Sequence, residues 1–238
     1  MTQTRVTWLG HATVLIESRS GYRLLIDPFL TNNPSYPKDF ALPEHIDAIL
    51  ITHGHGDHMS DALPLAQKTG AKVVAIHEIA LYLGSKGITN IVGMNLGGSV
   101  QLGDVKATMV EAKHSSAIEF DGELRYAGTA AGYVLTTDEG DCIYIAGDTS
   151  VFGDMSLIAE LYAPQVVMLP IGGHFTMGPK EAALATRLLK PQAILPLHFG
   201  TFPPLKGRPA DLQALIDPQI RVEDWKPGDS VGMRDLLA

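Results

Sequence analysis

The stretch Thr52–Asp61, THGHGDHMSD, places three histidines and two aspartates within ten residues. It follows the apolar run Ala48–Ile51 and precedes an amphipathic segment, so it reads as a turn between a buried strand and a helix. Within it His53, His55, Asp57 and His58 form H-x-H-x-D-H. Imidazoles and carboxylates both ligate divalent cations, and an extended turn points alternate side chains the same way. His53 and His55 then reach one cation, while Asp57 and His58, on the tightening turn, reach a second about 3.5–4 Å away. Gly54 and Gly56 permit close approaches that bulkier residues resist. A polar loop with no role is the weaker reading, because crowding basic rings without a ligand is costly.

Outward from this turn the chain alternates short strands with helices. Val6–Ser18 and Tyr22–Phe29 are β-branched and apolar runs joined by a hairpin-like SRSG. Asp27–His45, rich in proline and asparagine, is a loop long enough to suggest a lid or a binding role. From Ser60, a plausible N-cap, DALPLAQKTG reads as a helix closed by Gly70. AKVVAIH is a strand, EIALYLGSKG a short helix, and two strands surround Gly103-Asp104. AAGYVLTTDEGDCIYIAGDT repeats strand, turn at Glu139-Gly140, strand, polar cluster. GPKEAALATRLLKP is a helix with Pro179 in its first turn and Pro191 just beyond its end. The two halves share this grammar without a sequence repeat. The architecture expected is α/β, a four-layer αββα sandwich in one domain spanning residues 1–238, with its site at one edge.

One hexapeptide cannot complete two coordination spheres. His114 in EAKHSS, Asp148 in YIAGDTS and His198 in LPLHFGT each end a strand-like run, which would bring them to the same rim. Each alone reads equally well as a capping or core residue; their shared position favours the set. The order H-x-H-x-D-H, His, Asp, His resembles the metallo-β-lactamase superfamily across essentially the whole chain. LGHATVLIE, IDPFL, AGDTSVFGDM, PIGGHFTMGP and PLHFGTFP are similar to its metal-dependent hydrolase branch near L-ascorbate-6-phosphate lactonase. The resemblance implies His53, His55 and His114 around one cation, Asp57, His58 and His198 around the other, and Asp148 bridging. Asp148 stands where the lactamases proper carry cysteine, which argues against antibiotic hydrolysis.

His11 and His174 lie in motifs like those of the branch but outside this ligand set. Either could donate to a substrate oxygen or hold a ligand carboxylate, and a structural hydrogen bond is the competing reading, stronger for His11. His45 and His77 read as structural or surface residues, and Cys142 as core.

The expected chemistry is hydrolysis by a hydroxide bridging two cations, with Asp57 handling the proton and His174, with Tyr36 on the long loop, contacting substrate. Zinc suits the histidine-rich set best, while the oxygen ligands also admit manganese or iron. A small lactone or ester is the first substrate expectation, from the resemblance. The alternatives are a phosphodiesterase acting on small cyclic or short nucleotides and a non-hydrolytic metal-binding protein. The formal charge of −8 argues against long nucleic acid as a partner. No run approaches the roughly 20 apolar residues of a membrane helix, and the N-terminal residues do not read as a signal peptide. A lone cysteine fits a reducing, cytoplasmic setting. Homo-oligomerisation is compatible by base rate.

Overall fold

The computed structural model describes residues 3–120 and 122–238; Met1 and Thr2, part of the N-terminal stretch read above, lie outside them. The first half contains β1 (Arg5–Trp8), β2 (Val14–Glu17), β3 (Arg23–Ile26), β4 (Ala48–Leu50), α1 (Gly56–Met59), α2 (Ala62–Thr69), β5 (Lys72–Ile76), α3 (His77–Ser85) and β6 (Ile91–Met94). The second contains β7 (Ser99–Leu102), β8 (Val105–Glu111), β9 (Ala117–Phe120), β10 (Glu123–Tyr126), β11 (Ala131–Thr137), β12 (Cys142–Ile145), α4 (Met155–Tyr162), β13 (Val166–Pro170), α5 (Pro179–Leu189), β14 (Ala193–Leu197), α6 (Pro209–Gln213), β15 (Arg221–Val222), β16 (Ser230–Gly232) and α7 (Met233–Leu236).

Two seven-stranded sheets result, in the orders β16-β1-β2-β3-β4-β5-β6 and β7-β8-β11-β12-β13-β14-β15. Each runs through three antiparallel junctions and then three parallel ones. The shared grammar of the two halves is therefore a shared topology: β1 corresponds to β8, β3 to β12, β4 to β13 and β5 to β14.

Side-chain alternation builds the layers, because successive residues of a strand face opposite sides. In the second sheet Tyr133, Leu135, Ile143, Ile145, Met168 and Leu195 face inward and share one core with the first sheet. Their neighbours Val134, Tyr144, Val167, Leu169 and Ile194 face outward onto Met155 and Ile158 of α4 and Ala182 and Leu189 of α5. The outer face of the first sheet takes Ala62 and Ala66 of α2 with Ile79 and Leu83 of α3. Strands covered on both faces read as nearly continuous apolar runs, which is why β4, β13 and β14 are buried throughout. Each fully buried Leu or Ile contributes about 1.5–3 kcal/mol. The result is the expected αββα sandwich, and none of its described helices is long and apolar enough to cross a membrane.

Three local expectations change. The run Val6–Ser18 is not one strand: it breaks at a turn where Gly10 and His11 take φ of +92° and +54°. Ser60 is not an N-cap. It closes α1, and α2 starts behind Asp61, whose carboxylate makes no cap but accepts from the Leu30 and Thr31 amides at 2.7 and 3.2 Å. The long loop is consequently stapled down. Asn33 adds bonds to the carbonyls of Gly10 (3.2 Å) and Phe29 (3.1 Å), and the Tyr36 hydroxyl turns inward to the Phe40 carbonyl at 3.3 Å.

Candidate metal centre

Every candidate ligand follows the C-terminal end of a strand, and the junctions described above put those ends on one edge of the sandwich. His53, His55, Asp57 and His58 follow β4, His114 follows β8, Asp148 follows β12 and His198 follows β14. Contacts between the sheets fix this edge. The Tyr133 hydroxyl on β11 donates to the Ile51 carbonyl at 2.9 Å, and the Ala131 amide donates to the Thr52 carbonyl at 3.0 Å. Gly54 is required here: a Cβ would meet Ala127 Cβ at 2.8 Å and the Ala117 carbonyl at 2.9 Å.

The edge is also where the backbone is bent hardest. Six described non-glycine residues have positive φ. Ala163 and Lys190 are C-caps of α4 and α5. The other four sit beyond strand ends, His11, Asp27 and His198 at the site and His174 on a turn beside it, and such strain collects where side-chain placement matters.

The predicted side chains fall in two groups, and a third, of Asp27, His53 and His58, links them. Metal-capable atoms of His53, His55 and His114 lie within 4.8 Å of one another, as do those of His11, Asp57, His58 and His198. Asp148, almost fully buried, stands between: Oδ1 is 3.3 Å from His58 Nε2, and Oδ2 is 3.1 Å from His198 Nε2 and 3.6 Å from His114 Nε2. The structure thus brings together all seven residues predicted from the sequence. His174 stands apart, exposed on the turn after β13, its ring against Phe175 at 4.4 Å. That turn is nevertheless close to the site, since a Cβ on Gly172 would lie 2.0 Å from the His198 carbonyl.

Sequence reading missed Asp27. Its Oδ2 accepts from the Thr52 hydroxyl at 2.7 Å and from His58 Nδ1 at 2.8 Å, and its Oδ1 from the Thr52 amide at 2.8 Å. These bonds assign tautomers. Thr52 has one hydroxyl proton and gives it to Asp27, so the Nδ1 of His53, 3.0 Å from that hydroxyl oxygen, must be the donor there. His53 Nε2 then carries a lone pair. His58 donates through Nδ1 and turns Nε2 toward Asp148, with a lone pair there when neutral. With no cation beside it, burial is outweighed by the carboxylates of Asp148 and Asp27, which hold the ring well above the usual imidazole range and so put a proton there.

A lone pair facing a carboxylate in a dry site needs a cation or a proton between them. His58 Nε2, His198 Nε2 and Asp148 Oδ1 are all buried without a hydrogen-bond partner, despite their ion-pair distances. Their atoms converge without hydrogen-bond geometry toward one another, as ligands of a common ion do. Burial, followed by the charge of His58, holds His53 well below the usual imidazole range, and burial lowers His55 and His114 too. All three are neutral and able to ligate. Burial acts to raise Asp148, but the charges of His58 and His198 outweigh it and keep the carboxylate ionised. Asp57 behaves alike: burial opposes ionisation, while the His11 hydrogen bond and the charge of His58 pull it below the ordinary value. The donor set fits divalent metal.

Fold and site together define the superfamily. The family model described as a Beta-lactamase superfamily domain matches residues 22–199. A UPF0173 metal-dependent hydrolase of Koribacter versatilis is 46% identical over 226 residues, covering 95% of this chain and 97% of its own. Igni18, described as a novel metallo hydrolase of the archaeon Ignicoccus hospitalis, is 36% identical with a TM-score of 0.84, covering 97% of this chain and 98% of that one. YhfI of Bacillus subtilis, a metallo-beta-lactamase fold protein, shares the fold at 16% identity and a TM-score of 0.72, covering 96% and 99% of the two chains. The chain belongs to the UPF0173 family of metal-dependent hydrolases.

Proposed function

We propose that this enzyme hydrolyses a small lactone or related ester at a pair of divalent cations. The observation that carries the two-cation reading is the position of Asp148, within 3.6 Å of His114 from one group and 3.3 Å of His58 and His198 from the other. His53, His55 and His114 would hold one cation, Asp57, His58 and His198 the second, with Asp148 shared. Zinc is the first choice, with manganese or iron admitted by the carboxylates. When bound, such a pair lowers the pKa of a coordinated water toward about 7 and polarises the scissile bond.

The chain's own residues supply the rest. Asp57 keeps a third of its side chain exposed while its Oδ2 is engaged by His11, so it can pass a proton between the site and solvent. His174, exposed on the turn after β13, would meet a substrate oxygen from the rim.

The surroundings of His55 support this substrate class. That residue opens onto a cavity of about 350 Å³ walled by Met59, Leu63, Pro64, Leu83, Ile118 and Leu124, in which Glu119 is the charged residue and, among the described residues, no lysine or arginine lines it. Such a wall suits a neutral apolar acyl group better than a phosphodiester. A larger cavity of about 930 Å³ beside Lys206 and Arg208 includes none of the candidate ligands in its lining. The test is a panel of lactones, acyl esters of graded length and chromogenic phosphodiesters, run with zinc, manganese and iron. Ester or lactone turnover rising with apolar length is expected. Phosphodiester turnover alone would reverse the assignment, and metal uptake without any turnover would leave a binding protein.

A further inference from the structure

We infer that His11 is a positioning residue for the second ligand group, its ring fixing Asp57 and its main chain fixing His198. This rests on the two-cation reading above. His11 is fully buried, and its Nε2 lies 3.1 Å from Asp57 Oδ2. An ionised carboxylate only accepts, so Nε2 carries the proton and donates it. One oxygen of a partly exposed carboxylate is thereby tied, which limits its rotamers within a group whose metal-capable atoms, one each from His11, Asp57, His58 and His198, lie within 4.8 Å of one another.

The second hold runs through the backbone. The His11 carbonyl accepts from the His198 amide at 3.0 Å and from Trp8 Nε1 at 3.0 Å. Its ring lies 4.0 Å, centroid to centroid, from that of His198, and the edges of Phe29 and Phe202 close around it. The turn cannot relax, because a Cβ on Gly10 would lie 2.6 Å from the Ser35 carbonyl. One residue from the first sheet therefore grips a ligand of each sheet.

Topology gives independent support. β1 and β8 occupy corresponding places in the two sheets, and each is followed by a histidine, His11 in one and His114 in the other. His114 faces one group and His11 the other, so the two halves send equivalent residues to the two ends of the site.

The test compares His11→Leu, which keeps the buried bulk but removes the donor, with His11→Gln, which restores an amide donor at similar reach. Zinc stoichiometry and affinity are read by equilibrium dialysis against a competing chelator, alongside kcat and KM. In His11→Leu one of two zinc ions should bind about 10- to 100-fold more weakly. His11→Gln should recover most of that loss, with kcat following occupancy. Unchanged affinity in His11→Leu would overturn the inference alone. Equal loss in both variants would also overturn it, pointing to direct ligation. Wild-type protein that takes up fewer than two zinc ions would remove the two-cation reading itself.

Discussion

Nδ1 of His58 lies 2.8 Å from Oδ2 of Asp27, the same oxygen that takes the Thr52 hydroxyl proton at 2.7 Å. One carboxylate thus orients a residue of each ligand group, His58 directly and His53 through Thr52. Replacing Asp27 by Asn presents an amide to three donors where an acceptor is needed. Affinity for both cations should fall, by about 10- to 100-fold, as read by chelator competition. Wild-type affinity would show that the ligands order themselves.

Asp148 is predicted to matter differently, because the two proposed cations would share it. Asp148→Ala should lower bound metal and turnover together, the rate by at least about 100-fold, measured by elemental analysis and initial rates on the same preparation. Full activity with one metal retained would defeat the two-cation version.

His174 provides a contrast. It is exposed, so His174→Ala should leave thermal stability within about 0.5 kcal/mol and metal content unchanged. If it meets the substrate, kcat/KM should fall about tenfold, equivalent to about 1.4 kcal/mol of transition-state stabilisation. An unaltered kcat/KM on the best substrate would remove it from the site.

At the opposite edge of the sandwich the sheets are joined by Asp104, whose Oδ1 accepts from the Ser18 and Ser20 hydroxyls at 2.7 Å each. Burial works against ionisation here, but these hydrogen bonds win and lower the carboxyl below its ordinary value. A lowered folded-state pKa means the contribution is complete above the unfolded value of about 3.9 and is lost as pH falls through the folded one. Asp104 is partly exposed, so Asp104→Asn should cost no more than about 0.5–1 kcal/mol at neutral pH. In denaturant titrations that difference should shrink toward pH 3. A gap that persists in acid would assign it to packing.

The ligands were legible because each follows an apolar run at a strand end, where a polar residue has few other reasons to be. The same rule hid Asp27, which follows β3 but precedes a proline and so reads as the start of a loop. Its role emerges only when β3 and β4 pair and bring it to Thr52. The β9–β10 hairpin was missed because all four β10 residues are exposed, Leu124 and Tyr126 included, leaving no buried-face alternation to read. Ser60 misled because Ser before an apolar run is a capping pattern, whereas the chain uses the next residue, Asp61, to pin a distant loop. His11 reads as structural from the sequence because its partner, Asp57, is 46 residues away.

The seven candidate ligands come from both sheets: four from the turn after β4, three from the ends of β8, β12 and β14. A loaded pair of ions would act as a rivet through the sandwich, clamping the open rim while Asp104 laces the far one. Catalytic readiness and mechanical integrity would then be lost in one event. Stripping the metal should loosen that seam and lower the melting temperature.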